Sequence, residues 1–179
     1  VFKKYGLIVL TCAMIFCANN AAGYMTTGGY VQGLASRPVD GTPPGLGFDP
    51  VGVQLAAFAG SVSWLVFTFL AGYLSDRIGR KRVYLIGWVV LAIGIVPLFE
   101  LVYTGVMGVA IATILLGIGL GLTYGAQAAW YAESFPASVR FSGVSIAYAI
   151  GAIIGGAFAP TIAQALLQST GTTWAIVGY

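Results

Sequence analysis

Five long apolar stretches follow one another along the chain, and they limit the possible folds more than any other feature. They cover residues 6–33, 51–74, 83–103, 106–130 and 143–168. A helix needs about 20 apolar residues to cross the hydrocarbon core of a bilayer. Because lipid offers the backbone no hydrogen-bond partners, each stretch is predicted to be a membrane-spanning helix. A sixth apolar stretch covers only residues 172–179, so we expect a truncated sixth span and an incomplete piece of a longer protein.

The charge content excludes several classes of protein. Only 7% of the 179 residues are charged and none is histidine, whereas an average soluble domain has roughly a quarter charged residues. This composition argues against a soluble enzyme, a nucleic-acid-binding protein and a disordered linker. The chain also lacks paired acids within its apolar stretches and any arrangement of a nucleophile with a base. We therefore predict no enzymatic activity, no metal site and no cofactor.

The basic residues predict the orientation in the membrane. If the N-terminus lies on the inner side of the membrane, Arg37 is the only basic residue on the outer side. The inner side then holds Lys3, Lys4, Arg77, Arg80, Lys81, Arg82 and Arg140. Because Lys and Arg collect on the cytoplasmic side of membrane proteins, we predict that the N-terminus of this chain is cytoplasmic.

The connection after the second stretch carries the most specific motif. Residues 72–82 read GYLSDRIGRKR, which resembles the signature loop of the major facilitator superfamily. Gly72 is expected to allow close helix contact. Asp76 is expected to end a helix and either accept hydrogen bonds or face the positive N-terminus of a neighbouring helix. Gly79 is expected to make a tight turn with positive φ, while Arg77 and Arg80 hold the loop at the inner surface.

A second charged run follows the fourth stretch and contains Glu133 and Arg140. In a compact bundle it would lie close to the signature loop. We hypothesise that Glu133 pairs with Arg80 or Arg77 and latches the inner side in one transport state. The alternative is an isolated acid at a helix end whose partner is solvent.

Three longer segments restrict the resemblance to one family within the superfamily. Residues 124–129, 133–145 and 155–160 are similar to the metabolite:proton symporter family, which includes the shikimate, α-ketoglutarate, citrate and proline/betaine transporters of bacteria. The resemblance implies an all-α membrane protein, with residues 1–179 as a single transmembrane domain. That domain would be the C-terminal six-helix half of a twelve-helix bundle in the bacterial inner membrane.

The same resemblance implies a mechanism and a set of partners. Two six-helix halves would rock about a central site, in the alternating-access manner. The partners would be a small organic acid or zwitterion, a proton, the lipid bilayer and the N-terminal half that this sequence lacks. No nucleic acid is expected.

Polar side chains inside the first stretch suggest a binding face. Asn20, Tyr24 and Thr27 are spaced i, i+4, i+7 and so share one side of a helix, with Asn19 and Tyr30 bordering it. Tyr124 and Gln127 form a weaker candidate pair in the fourth stretch. These groups suit a small polar solute, but hydrogen bonds between helices would use the same residue types.

Two other functions fit the same scaffold. One is a sugar-porter-like or efflux transporter, because the signature loop is shared across the superfamily. The other is a membrane receptor or assembly protein that transports nothing. A polar central face would favour a transporter, since a structural protein would fill that space with apolar side chains.

Overall fold

The computed structural model of the protein describes residues 2–26, 29–41, 44–172 and 174–178, and these residues fold into helices without strands. Lipid-facing backbone must satisfy its own hydrogen bonds, which is why the apolar stretches are helical. The helices are α1 Phe2–Thr26, α2 Tyr30–Ser36, α3 Pro50–Ile78, α4 Arg80–Val102, α5 Val106–Ser134, α6 Arg140–Ala152, α7 Phe158–Thr170 and α8 Trp174–Gly178. A π-helical turn, Ile153–Ala157, joins α6 to α7.

The prediction of five full spans is confirmed. Within the described part of the chain, five helical segments are long and apolar enough to cross a membrane. They are Tyr5–Tyr24, Pro50–Ile78, Arg80–Val102, Val106–Ser134 and Arg140–Thr170. The second and fourth segments each extend four residues beyond their predicted ends, because the helix continues through polar residues after the apolar run stops.

The prediction of one continuous helix over residues 6–33 is wrong. α1 ends at Thr26 and α2 begins at Tyr30. Gly29 has φ 142°, a conformation that side chains beyond glycine rarely adopt, so the chain turns there. Thr27 lies outside the described residues.

The centre of the bundle is α5, which packs against α3 along a series of glycines. A Cβ atom on Gly121 would lie 2.7 Å from the carbonyl oxygen of Trp64, and one on Gly117 would lie 2.5 Å from that of Gly60. Only hydrogen fits at these positions, so the two backbones are in direct contact.

A second interface joins α1 to α6 and the π-helical turn. A Cβ on Gly151 would lie 2.7 Å from the carbonyl oxygen of Ala13, and Gly155 contacts the backbone of Cys17. These two glycines, four residues apart, let α1 and α6 approach closely. Pro160 follows the π-helical turn and has no N–H for the carbonyl of residue 156, which favours an irregular helix at this point.

Candidate functional site

Arg80 is the centre of a charged network at one end of the bundle. As the first residue of α4, it ion-pairs with Asp76 near the end of α3. Its Nε donates to Oε1 of Glu133, near the end of α5, at 3.1 Å. Its Nη1 also donates to the hydroxyl of Ser75 at 2.7 Å. One guanidinium thus joins three helices, and of the two partners expected for Glu133 the structure shows Arg80.

The single-residue connection between α3 and α4 makes this network possible. Gly79 alone separates the two helices, with φ 98°, which confirms the predicted positive φ. A side chain is strained in this region of backbone conformation. The sharp reversal places Arg80 beside the last turn of α3.

Other residues of the two charged runs have different surroundings from those expected. A Cβ on Gly72 would meet nothing within 4 Å in the described part of the chain, so the predicted close helix contact at Gly72 is not made there. α3 continues past Asp76 to Ile78. The guanidinium carbon of Arg77 lies 4.4 Å from the ring centre of Tyr73, and Nε of Arg140 donates to the carbonyl of Phe135 at 3.3 Å.

The polar residues predicted to bind a solute fall into two groups in the structure. One group is buried, and the other, called the open group, is partly exposed. Asn19 is 3% exposed, and its Oδ1 accepts a hydrogen bond from the hydroxyl of Thr123 at 2.7 Å. Gln127 lies one turn further along α5 and is fully buried, with no hydrogen bond from its amide group to another described residue. Both side chains therefore lie inside the bundle, and Asn19 links α1 to α5.

Tyr30 does not border the binding face. It belongs to α2, is 6% exposed and packs in the core with Val31, Leu34 and Val53. Its position follows from the break after α1, because the residues of α2 no longer continue the register of α1.

The open group consists of two residues of α1 and one residue of α5. Tyr24 is 45% exposed and Tyr124 is 38% exposed, while Asn20 is half-buried. Asn20 and Tyr24 both approach the π-helical turn: a Cβ on Gly156 would lie 3.3 Å from Nδ2 of Asn20 and 2.9 Å from Cε2 of Tyr24. The predicted i, i+4 pair thus shares one side of α1.

Trp64 of α3 belongs to the same surface. Its ring packs edge to face with Tyr124, with the ring centres 5.9 Å apart. Its Cη2 approaches α1 at Gly23, where a Cβ would lie 3.8 Å away. We call Asn20, Tyr24, Trp64 and Tyr124 the polar-aromatic face. Sequence analysis did not select Trp64, because a tryptophan in an apolar run resembles a lipid-facing residue.

The buried Asn19–Thr123 hydrogen bond makes a testable contribution to stability. Thr123→Val keeps the side-chain shape but leaves Oδ1 of Asn19 without this donor. We expect a loss of about 1 kcal/mol in the free energy of unfolding, as for hydrogen bonds between membrane helices. Thr11→Val is the matched control, since the exposed hydroxyl of Thr11 bonds within its own helix, to the carbonyl of Leu7. Thermal unfolding in detergent measures both variants, and equal shifts would contradict the expectation.

The number and length of the apolar helices show which class of protein this is. Five apolar helices of spanning length make this a multi-pass membrane protein. The sequence pattern of the Major Facilitator Superfamily matches residues 5–179. The chain belongs to this superfamily.

Several bacterial transport proteins are similar to the chain. A putative metabolite transport protein of Haemophilus influenzae is 29% identical over 93% of this chain and 36% of its own length. The shikimate transporter of Escherichia coli is 30% identical over 68% of this chain and 28% of its own length. The proline/betaine transporter of the same species is 29% identical over 93% of this chain and 32% of its own length. This chain therefore spans about a third of the length of these relatives, and no solved structure matches it significantly.

Proposed function

We propose that the chain is part of a secondary active transporter that takes up a small organic acid or zwitterion together with protons. The observation that carries the proposal is the polar-aromatic face. Tyr24 and Tyr124 leave more than a third of their surface exposed within helices of membrane-spanning length. A structural membrane protein would cover such groups, whereas a transporter needs them for its solute.

The relatives support the same function. They are named as transporters of metabolites, shikimate and proline or betaine, which covers both an acid and zwitterions. Because this chain matches about a third of their length, the site would be completed by a further six-helix half. In that arrangement residues 1–179 act as one transmembrane domain of a bacterial inner-membrane protein, with a cytoplasmic N-terminus.

The charged network is proposed to be the gate of this transporter. Arg80, Asp76 and Glu133 are joined at one end of the bundle, and Glu133 is more than half exposed. An exposed ion pair can break and re-form at small cost. Closure of the network would stabilise one state of the alternating-access cycle, and its opening would let the helix ends separate.

The proton would be carried outside this chain. Its acids are Asp40, Asp49, Asp76, Glu100 and Glu133, and none lies in the middle of a spanning helix. Proton relays in membranes are usually built from such intramembrane groups. The proposed coupling therefore requires ionisable residues in the other half of the transporter.

Uptake by the complete transporter in proteoliposomes tests this proposal. We expect one of shikimate, α-ketoglutarate, citrate and proline betaine to accumulate when a proton gradient is imposed. A protonophore should abolish accumulation, because the gradient is the proposed driving force. The isolated chain of residues 1–179 should insert into the vesicles without uptake, since half of the cavity wall is absent. Accumulation that survives the protonophore would contradict symport, and no uptake of any solute would contradict the proposed substrate range.

A further inference from the structure

We infer that the turn between α3 and α4 binds the headgroup of an anionic phospholipid, and that Arg77, Lys81 and Arg82 are the cations that contact it. We call these three residues the basic turn. Basic residues beside a spanning helix attract anionic lipids, because the cation and the phosphate meet at the membrane surface. The inference concerns the lipid around the protein and does not depend on the proposed transport function.

The positive charge of the basic turn is not balanced by acids of the described chain. All three cations are exposed, and none forms an ion pair with a described residue. The first turn of α4 contains no acid. The two acids beside the turn, Asp76 and Glu133, both pair with Arg80 instead. A negative group from outside the chain would therefore find three cations that are free to bind it.

The side of α3 that leads to the basic turn is apolar and exposed. Val66, Leu70 and Tyr73 precede Arg77 at spacings of three or four residues, so all four share one side of the helix. Each of the first three is about half exposed within a segment of spanning length. In a bilayer such a side contacts acyl chains. Arg77 at its end therefore lies at the level of the headgroups, and Tyr73 is of a type enriched at that interface.

The beginning of α4 has the same arrangement. Ile86, Val89 and Ile93 follow Arg82 at spacings of three or four residues and are also about half exposed or more. Because Gly79 alone separates the two helices, both apolar sides end at one turn. A phospholipid can use the cations and the apolar sides together, whereas a soluble phosphate gains nothing from the apolar sides. The arrangement therefore favours a lipid as the source of the negative charge.

The side chain of Arg77 already lies at the depth that a headgroup requires. Its guanidinium carbon is 4.4 Å from the ring centre of Tyr73, one turn further into α3. The side chain thus leans back along the apolar side of the helix and does not extend away from the membrane. Its N–H groups donate to no other described residue. A guanidinium in this position can donate two parallel hydrogen bonds to phosphate oxygens.

Native mass spectrometry of the purified complete transporter tests the inference. The protein is mixed with equal amounts of phosphatidylglycerol and phosphatidylcholine that carry the same acyl chains, so that the two lipids differ in headgroup charge. We expect at least about threefold more bound phosphatidylglycerol, because only its headgroup has a net negative charge. Equal binding of the two lipids would overturn the inference. Displacement of the bound lipid by excess soluble glycerol phosphate would show an anion site without a role for the acyl chains, which would also overturn it.

Paired variants locate the preference on the chain. Arg77→Gln with Lys81→Gln removes two charges from the basic turn and should lower the preference for phosphatidylglycerol at least about twofold. Arg37→Gln with Arg140→Gln is the matched control, because it removes the same charge elsewhere. Arg37 lies beyond α2, and Nε of Arg140 is bonded to the carbonyl of Phe135. The control should keep the preference, and an equal fall in both pairs would show that net charge alone is responsible.

A second pair separates the effect of charge from a loss of structure. Arg77→Lys with Lys81→Arg keeps both charges and should keep the preference, since the lipid is attracted by the cations. Circular dichroism of each variant measures whether its helices are retained. If the preference is unchanged when both charges are removed, another part of the complete transporter covers the basic turn and the assignment fails. If it is lost when both charges are kept, the assignment to charge fails as well.

Discussion

Gly155→Ala should strongly destabilise the bundle. A Cβ at this position would overlap the carbonyl oxygen of Cys17 and lie 2.8 Å from its carbonyl carbon. The obstruction is backbone on a neighbouring helix, which cannot rotate away as a side chain can. Forcing a methyl group into such a contact costs about 3 kcal/mol, so we expect a large fall in the unfolding temperature in detergent and little folded protein.

Gly6→Ala is the matched control for this prediction. Gly6 also lies within a helix, but a Cβ there would meet nothing within 4 Å. Alanine is the better helix former by about 0.5–1 kcal/mol, so this variant should be unchanged or slightly more stable. A similar loss in both variants would show that glycine itself, and not the contact with α1, matters at residue 155.

Arg80→Ala should slow transport by about tenfold or more while leaving the amount of membrane-inserted protein within about twofold. Arg80 contacts Ser75, Asp76 and Glu133, so its removal releases the ends of α3 and α5 at once. A latch of this kind changes the balance between transport states more than the stability of the fold. Initial uptake rates and quantitative immunoblots of the complete transporter measure the two effects separately.

Two further variants define the role of this network. Glu133→Gln removes one of the two acidic partners and should slow transport less than Arg80→Ala does. Arg82→Ala removes an exposed cation two residues away and should leave the rate unchanged. If Arg80→Ala lowers only the amount of protein, the network is a scaffold and the latch hypothesis fails.

Hydropathy was sufficient to predict the five spans, because burial in lipid requires long apolar helices whatever their packing. It could not predict the break between α1 and α2. Residues 27–29 read Thr-Gly-Gly within a continuous apolar run, and glycine is common inside membrane helices. The positive φ of Gly29 depends on the packing of α2 against the core, which periodicity does not report.

The candidate site was predicted in part. Helical spacing placed Asn20 and Tyr24 together, and the structure brings both to the π-helical turn. The same reasoning placed Asn19 at the border of this face, 100° around the helix from Asn20, but it could not show that the side chain of Asn19 is buried against α5. Asn19 is buried because it bonds to Thr123, and Thr123 lies more than a hundred residues away in the sequence. Thr123 and Gln127 are four residues apart and therefore share one side of α5. This spacing was the signal in the sequence for a buried polar side of that helix.

The glycine contact between α3 and α5 also has a consequence for biosynthesis. The last residue of α5 is synthesised 56 residues after that of α3, which takes about 3–11 s at ~5–20 residues per second. During this interval α3 lies in the lipid with the surface around Gly60 unoccupied, because no residue made earlier supplies the backbone that will cover it. α3 must therefore be stable in the bilayer before α5 is present. Its many exposed leucine, valine and phenylalanine side chains favour contact with lipid and so stabilise it there. The contact between α3 and α5 can form only after α5 leaves the ribosome.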